Sequence, residues 1–290
     1  MVIGVDLGGT KVRAGVAVDG EIRNQQHQLF KSRGTQDETL GQLIGMIRSL
    51  ALPGLRGIGL GVPSVIDVQK GIVYNVVNIP SWECVPLKDI LEDEFAVPVA
   101  INNDVNCFAL GEYRFGVVRG YNNVVGITSG TGLGAGIIVN NDIFQGSNCG
   151  AGEIGLLSYR DHNIEYYASG NYFQAFHGIS AIQANDLAAA GDEKALGWWR
   201  EFGMHMGNAI KTVVYAYDPE AIVIGGSLSK AYGLFKDAMF SSLEDFTFPE
   251  SIKRLRIFQS VNENITLLGA AALLDRDTYQ VEKQKTWKAV

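Results

Sequence analysis

Two short stretches rich in glycine and hydroxyl side chains, with one carboxylate lying between them in sequence, are the residues best suited to chemistry. The first stretch is Asp6-Leu7-Gly8-Gly9-Thr10-Lys11. Glycines after a strand let the backbone turn tightly and bring N–H donors against a phosphate. Thr10 adds a hydroxyl donor. The acid just ahead suits Mg²⁺, which prefers one or two carboxylates plus phosphate oxygens and water. Two glycines alone would equally make a plain hairpin turn. Ser129-Gly130-Thr131-Gly132-Leu133-Gly134 is a second donor-rich turn of the same kind. Neither the GxxxxGK[ST] loop nor the Rossmann GxGxxG spacing occurs, which argues against both common nucleotide folds. Gly225-Gly226-Ser227 ends a third apolar run and offers either a flat backbone surface for an adenine ring or simply a turn. The carboxylate is Asp104, beside Asn103. At a strand end it can accept the proton of an alcohol whose oxygen attacks a phosphate. Capping a helix is the plain alternative, and both roles can hold at once.

The elements that must position these residues are legible as an internal echo. Val2 to Asp6 leads through Gly8-Gly9-Thr10 into Ala14 to Val18, with a turn at Asp19-Gly20. Val124 to Thr128 leads through Gly130-Thr131-Gly132 into Ala135 to Val139, with a turn at Asn140-Asn141. Each copy reads as strand, glycine turn, strand, two-residue turn, strand, which indicates a duplicated architecture. Helical spacing appears at Leu40, Leu43, Ile44 and Ile47, and a buried strand at Leu55 to Val62. Val97 to Ile101 predicts a strand ending at Asn102-Asn103-Asp104, followed by a helix through Glu112 to Phe115. The stripe from Trp199 to Val214 predicts a long helix closed by Asp218-Pro219, and Ala221 to Ile224 a strand. Strands alternating with helices mean an α/β protein with largely parallel sheets. A boundary is expected near Phe115 to Asn123, giving domains 1–118 and 119–266. The helix 267–290 is expected to join the first domain.

Composition narrows the classes. The 290 residues are 47% hydrophobic and 19% charged, ordinary values for a globular protein. A net charge of −7 with no basic run argues against nucleic acid and membrane surfaces as partners. Backbone N–H groups can still hold phosphate without net positive charge. Cys84, Cys107 and Cys149 show no CxxC spacing and suggest reduced, buried thiols in a cytoplasmic protein. No apolar run approaches the ~20 residues that span a bilayer, and the N-terminus does not resemble a signal peptide.

Asp6-Leu7-Gly8-Gly9-Thr10-Lys11, Asn103-Asp104-Val105-Asn106, Gly130-Thr131-Gly132, Ala151-Gly152-Glu153-Ile154-Gly155 and Ile224-Gly225-Gly226-Ser227 together resemble the ROK family of bacterial repressors, open reading frames and sugar kinases. The resemblance runs over nearly the whole chain. It implies the actin-like (ribonuclease H-like) duplicated fold, two domains flanking a cleft, and phosphorylation of a hexose or N-acylated hexosamine by Mg-ATP. It implies Asp104 as catalytic base, and Ser64, Asn78, Asn103, Glu153 and Glu165 as sugar partners. Gly8, Gly9, Thr10, Lys11, Gly130, Thr131, Gly132, Gly225, Gly226 and Ser227 would hold ATP, with Asp6 on Mg²⁺ through water. A homodimer is also implied. Because the chain begins directly with the first glycine turn, it resembles the kinase rather than the helix-turn-helix branch.

Two departures stand out. Most family members carry a cysteine-rich zinc loop before the second glutamate, with a histidine upstream. Here Leu156 takes the place of that histidine, and Ser158 to Ile164 contains no cysteine. His162 alone cannot supply about four zinc ligands, so no structural zinc is expected. Leu156 also removes a sugar-facing donor; the resemblance makes glucose the leading acceptor, with fructose and N-acetylmannosamine as alternatives. Two rivals are a non-catalytic sugar sensor and an actin-like ATPase without a sugar acceptor.

Overall fold

A computed structural model describes residues 1–275, so the part of the anticipated C-terminal helix from 276 to 290 lies outside the described residues. The chain forms two compact units. The first takes Met1–Arg119, Ile143–Ala151 and the described residues from Asn262 to 275, and the second takes Gly120–Asp142 and Gly152–Val261.

In the first unit, β1 (Val2–Leu7), β2 (Lys11–Val18) and β3 (Glu21–Leu29) form an antiparallel meander. The polar β3 is the mostly exposed edge. Helix α1 (Gln36–Leu50) starts on a capping box. Thr35 Oγ1 accepts the Glu38 N–H, and the Glu38 carboxylate accepts the Thr35 N–H, satisfying two of the orphan donors at a helix start. The helix buries Leu40, Leu43, Met46, Ile47 and Leu50 at helical spacing. The strand β4 (Ile58–Val62) is buried at every position. A Cβ at its Gly59 would lie 1.8 Å from the Ala270 carbonyl oxygen, so glycine there lets the helix 265–275 lie directly on the sheet. A small sheet follows, of β5 (Val65–Asp67), β6 (Ile72–Tyr74) and β7 (Cys84–Val85), then α2 (Leu87–Phe95), β8 (Val99–Asn103) and α3 (Asp104–Phe115). The main sheet has the order β3-β2-β1-β4-β8, with β1, β4 and β8 parallel.

The second unit repeats this plan. It contains β9 (Val124–Ser129), β10 (Leu133–Val139) and β11 (Asp142–Ile143), where the chain passes into the first unit. After its return come the hairpin β12 (Ser158–Tyr159) and β13 (His162–Asn163), and the helices α4 (Ile164–Ala168), α5 (Gly170–His177), α6 (Ala181–Ala189) and α7 (Glu193–Tyr217). The strand β14 (Ala221–Gly225), α8 (Tyr232–Ser241), α9 (Pro249–Arg254) and β15 (Arg256–Gln259) complete it. The sheet order is β11-β10-β9-β14-β15, the same path as in the first unit. The echo is therefore structural, since each glycine turn joins the first two strands of its sheet, at Leu7↔Val12 and at Ser129↔Leu133.

Its helical core is aromatic. Phe173, Trp199, Phe202 and Phe235 are buried against one another from α5, α7 and α8, with ring centroids 4.5 to 6.2 Å apart. Among the described residues no helix is long and apolar enough to cross a membrane.

Candidate functional site

The sequence-predicted residues of the first unit gather at the C-terminal ends of β1, β4 and β8. Gly8 donates its N–H to the Lys11 carbonyl at 2.9 Å, closing the turn and leaving Thr10 and Lys11 exposed. A Cβ on Gly9 would sit 2.4 Å from Asn78 Cβ, so this turn and Asn78 are packed together. Ser64 lies beyond β4, and its hydroxyl donates to the Tyr74 carbonyl. Asp6, next to last in β1, pairs with Arg13 on β2. Burial pushes its carboxyl above the usual range, and the Arg13 charge only partly opposes this. As the acid just ahead of the glycine turn, Asp6 is placed where a carboxylate could share a Mg²⁺ with phosphate oxygens and water. Among the described residues no three His, Cys, Asp or Glu side chains cluster as a ready-made metal site.

Asp104 is the first residue of α3. The cap is Asn103, whose Oδ1 accepts the Val105 N–H at 2.9 Å and the Asn106 N–H at 3.4 Å. The Asp104 carboxylate also accepts the Val105 N–H, at 2.9 Å. It is half-buried at the positive end of the helix, where negative charge is favoured. Trp82 belongs to the core. It is fully buried and its indole N–H donates to Thr39 Oγ1 at 2.8 Å. Cys84 is exposed, against the expectation of burial, while Cys107 and Cys149 are buried.

In the second unit the strand-end turns converge on one cavity of about 490 Å³. Gly130, Thr131, Gly170 and Ser227 form one side. Gly170 donates its N–H to the Gly130 carbonyl at 2.7 Å, tying the start of α5 to the glycine turn. Ile182, Leu228 and Ala231 supply apolar walls, and Asn171, Gln174, Asn185 and Lys230 supply polar groups. Apolar walls with a few polar groups, at this volume, fit a purine nucleoside. Gly225 and Gly226 do not line the cavity themselves but precede Ser227, which does. Gly226 has φ +83 and packs so closely on Ser129 that a Cβ would come within 2.3 Å of its carbonyl oxygen. Nothing in the sequence marks Gln174, Ile182 or Asn185 as cavity residues.

Gly132 does not line the cavity; a Cβ there would lie 2.5 Å from Glu165 Oε2. Glu165 shares this neighbourhood with Glu153. Partial desolvation, then the charge of Glu165, push the Glu153 carboxyl above its ordinary range. Paired acids of this kind accept hydrogen bonds from neutral hydroxyls and would repel an anion. Leu156 ends a short 3₁₀ turn after Glu153 and is 63% exposed.

The β12–β13 hairpin, where the family's zinc loop would fall, is held by rings and charge. Arg160 lies over Tyr159 and Tyr167, and His162 stacks on Tyr166 at 4.1 Å. Tyr167 donates to Asp161. His205, 2% exposed on α7, approaches the Tyr159 hydroxyl through Nδ1 at 3.1 Å.

The profile of the ROK family matches residues 2–277. The glucokinase of Halalkalibacterium halodurans is 32% identical, over 98% of this chain and 95% of its own length. The xylose repressor of Bacillus spizizenii is 27% identical, over 94% of this chain and 76% of its own. Among solved structures, a ROK family glucokinase from Streptomyces griseus in complex with glucose and AMPPNP superposes with a TM-score of 0.81 at 28% identity, covering 94% of this chain and 98% of that one. The duplicated α/β architecture is accordingly the actin-like fold of the ROK sugar kinases.

Proposed function

The chain belongs to the ROK family, and from that premise we propose that it is a hexose kinase transferring the γ-phosphate of ATP to a sugar hydroxyl. Glucose is the leading acceptor, with fructose and N-acetylmannosamine as alternatives. The observation that carries the reading is the cavity of the second unit, lined by Gly130, Thr131, Gly170 and Ser227. A pure sugar sensor has no need of a nucleoside-sized cavity bordered by a phosphate-type turn.

Mg-ATP, when bound, supplies the phosphoryl group and the metal that neutralises its charge. Gly8, Gly9, Thr10 and Lys11 in the first unit, and Gly130, Thr131 and Gly132 in the second, would hold phosphates. Ser227, with Gly225 and Gly226 behind it, would border the adenosine. Asp6 is the carboxylate suited to the metal's water shell. Ser64, Asn78, Asn103, Glu153 and Glu165 would bind the sugar hydroxyls. Such a site rejects analogues lacking a hydroxyl, because its own polar groups would be left unpaired. Asp104 would accept the proton of the attacking hydroxyl. The protein would work in the cytoplasm as a homodimer, without a structural zinc.

The test is ATP consumption against a panel of hexoses, with Asp104→Asn measured alongside. Sugar-dependent ADP formation that falls by ~10²–10⁴ in the variant is the expected result. Sugar binding without turnover would favour the sensor reading, for which the similarity to a xylose repressor is the supporting observation.

A further inference from the structure

We propose that Asn102 is a positioning residue for Asp104, acting through a clamp that Cys149 completes. The inference rests on the reading of Asp104 as the base. Asn102, in β8, is 1% exposed. Its Oδ1 accepts three hydrogen bonds, from the Asn103 N–H at 2.9 Å, from Asn106 Nδ2 at 2.9 Å and from Cys149 Sγ at 2.8 Å. Its Nδ2 donates to Gln145 Oε1 at 3.0 Å.

Two of those donors bracket Asp104 along the chain, one just before it and one at the end of the first turn of α3. A buried amide bonded to residues on both sides fixes the turn from strand into helix, and with it the backbone from which the Asp104 carboxylate projects. From β4, Gly61 allows the close approach, since a Cβ there would lie 3.1 Å from Asp104 Cα. Asp104 is thus held between a strand that nearly touches its backbone and an amide that ties down its neighbours.

The outer arm comes from the excursion Ile143–Ala151, which belongs to the first unit although it interrupts the second in sequence. Within it Cys149 has φ +59, a left-handed conformation that side chains with a Cβ seldom adopt. That backbone aims its thiol at Asn102. Asn106 also donates to the Cys149 sulfur, at 3.6 Å, while its own Oδ1 finds no partner. Buried acceptors are normally paired. Here the Asn106 amide directs its donors into the clamp and leaves its acceptor unmatched, so the clamp dictates its orientation.

A merely structural role would lower stability and leave the reaction parameters alone, or shift them all together. A positioning role lowers kcat selectively. With glucose, or the hexose of the panel that turns over fastest, kcat, both KM values and the thermal midpoint are measured for Asn102→Ala, Cys149→Ala, Cys149→Ser and Asp104→Asn. Asn102→Ala should lower kcat by ~10- to 100-fold, the loss expected for a base displaced by up to about 1 Å, with the KM for ATP changed less than ~2-fold. Cys149→Ala and Cys149→Ser carry the same backbone penalty and differ in the donor. The alanine variant should therefore lose ~3- to 10-fold in kcat and the serine variant should stay within ~2-fold of wild type. Equal kcat values in the two Cys149 variants overturn the clamp, and they decide the matter alone if Asn102→Ala does not fold. Wild-type turnover in Asp104→Asn instead removes the base assignment, and the clamp's purpose with it.

Discussion

Glu165 Oε2 accepts the backbone N–H of Leu133 at 2.8 Å, so a side chain from α4 holds the exit of the glycine turn that leads from β9 into β10. Leu133 is buried, and losing that acceptor would leave its N–H unpaired at a cost of about 1–3 kcal/mol. Glu165→Ala should lower the thermal midpoint and raise both KM values. Glu165→Gln keeps an oxygen at the same place while removing the charge. It should spare the KM for ATP and raise the KM for the sugar. Equal effects of the two variants on ATP would contradict the bracing role.

Gly9 is placed where any Cβ would run into Asn78. Gly9→Ala should displace the turn or Asn78, cost about 1–3 kcal/mol of stability through overpacking, and lower kcat/KM for both substrates. Gly41 on the exposed face of α1 has nothing within 4 Å of a Cβ, and Gly41→Ala should stabilise by about 0.5–1 kcal/mol without touching kinetics. Denaturant melts and steady-state assays on the pair check both statements.

Ile182 lines the cavity of the second unit and yet is 75% exposed. A bound adenine ring would cover it. Ile182→Ala should weaken ATP by about 1 kcal/mol, roughly five-fold in KM, and leave the sugar KM unchanged. Binding of ATP measured calorimetrically, with no change in the variant, would show that the base lies elsewhere.

His205 should make stability fall on the acid side. Burial, reinforced by the Arg160 charge, holds its pKa below the ordinary 6.5, while Glu201, whose Oε1 lies 3.7 Å from Nε2, pulls the other way and does not prevail. The folded state therefore favours the neutral ring. Stability is fully present above pH 6.5 and is lost as pH falls through the depressed folded value. His205→Gln should flatten the decline in thermal midpoint between pH 7 and pH 5. Parallel wild-type and variant curves would locate the acid sensitivity in other groups.

Much of the architecture was legible because it is local. The two glycine turns, the α1 stripe from Leu40 to Leu50 and the strand ahead of Asn103 follow from spacing and turn chemistry, which neighbouring residues dictate. Asp104 could be singled out the same way, but its neighbour's role could not. Only the folded chain made Asn103 the cap and brought Glu165 under Gly132.

The order of residue types alone determined the duplicated α/β plan and the positions of the glycine turns, since both depend on φ/ψ preferences and periodicity within a few positions. The tertiary structure decided which distant residues share a space. It set Cys149 on Asn102, 47 positions away in sequence, and Ile182 beside Gly130. Such pairings arise from how whole elements pack, and no short window of sequence carries that information.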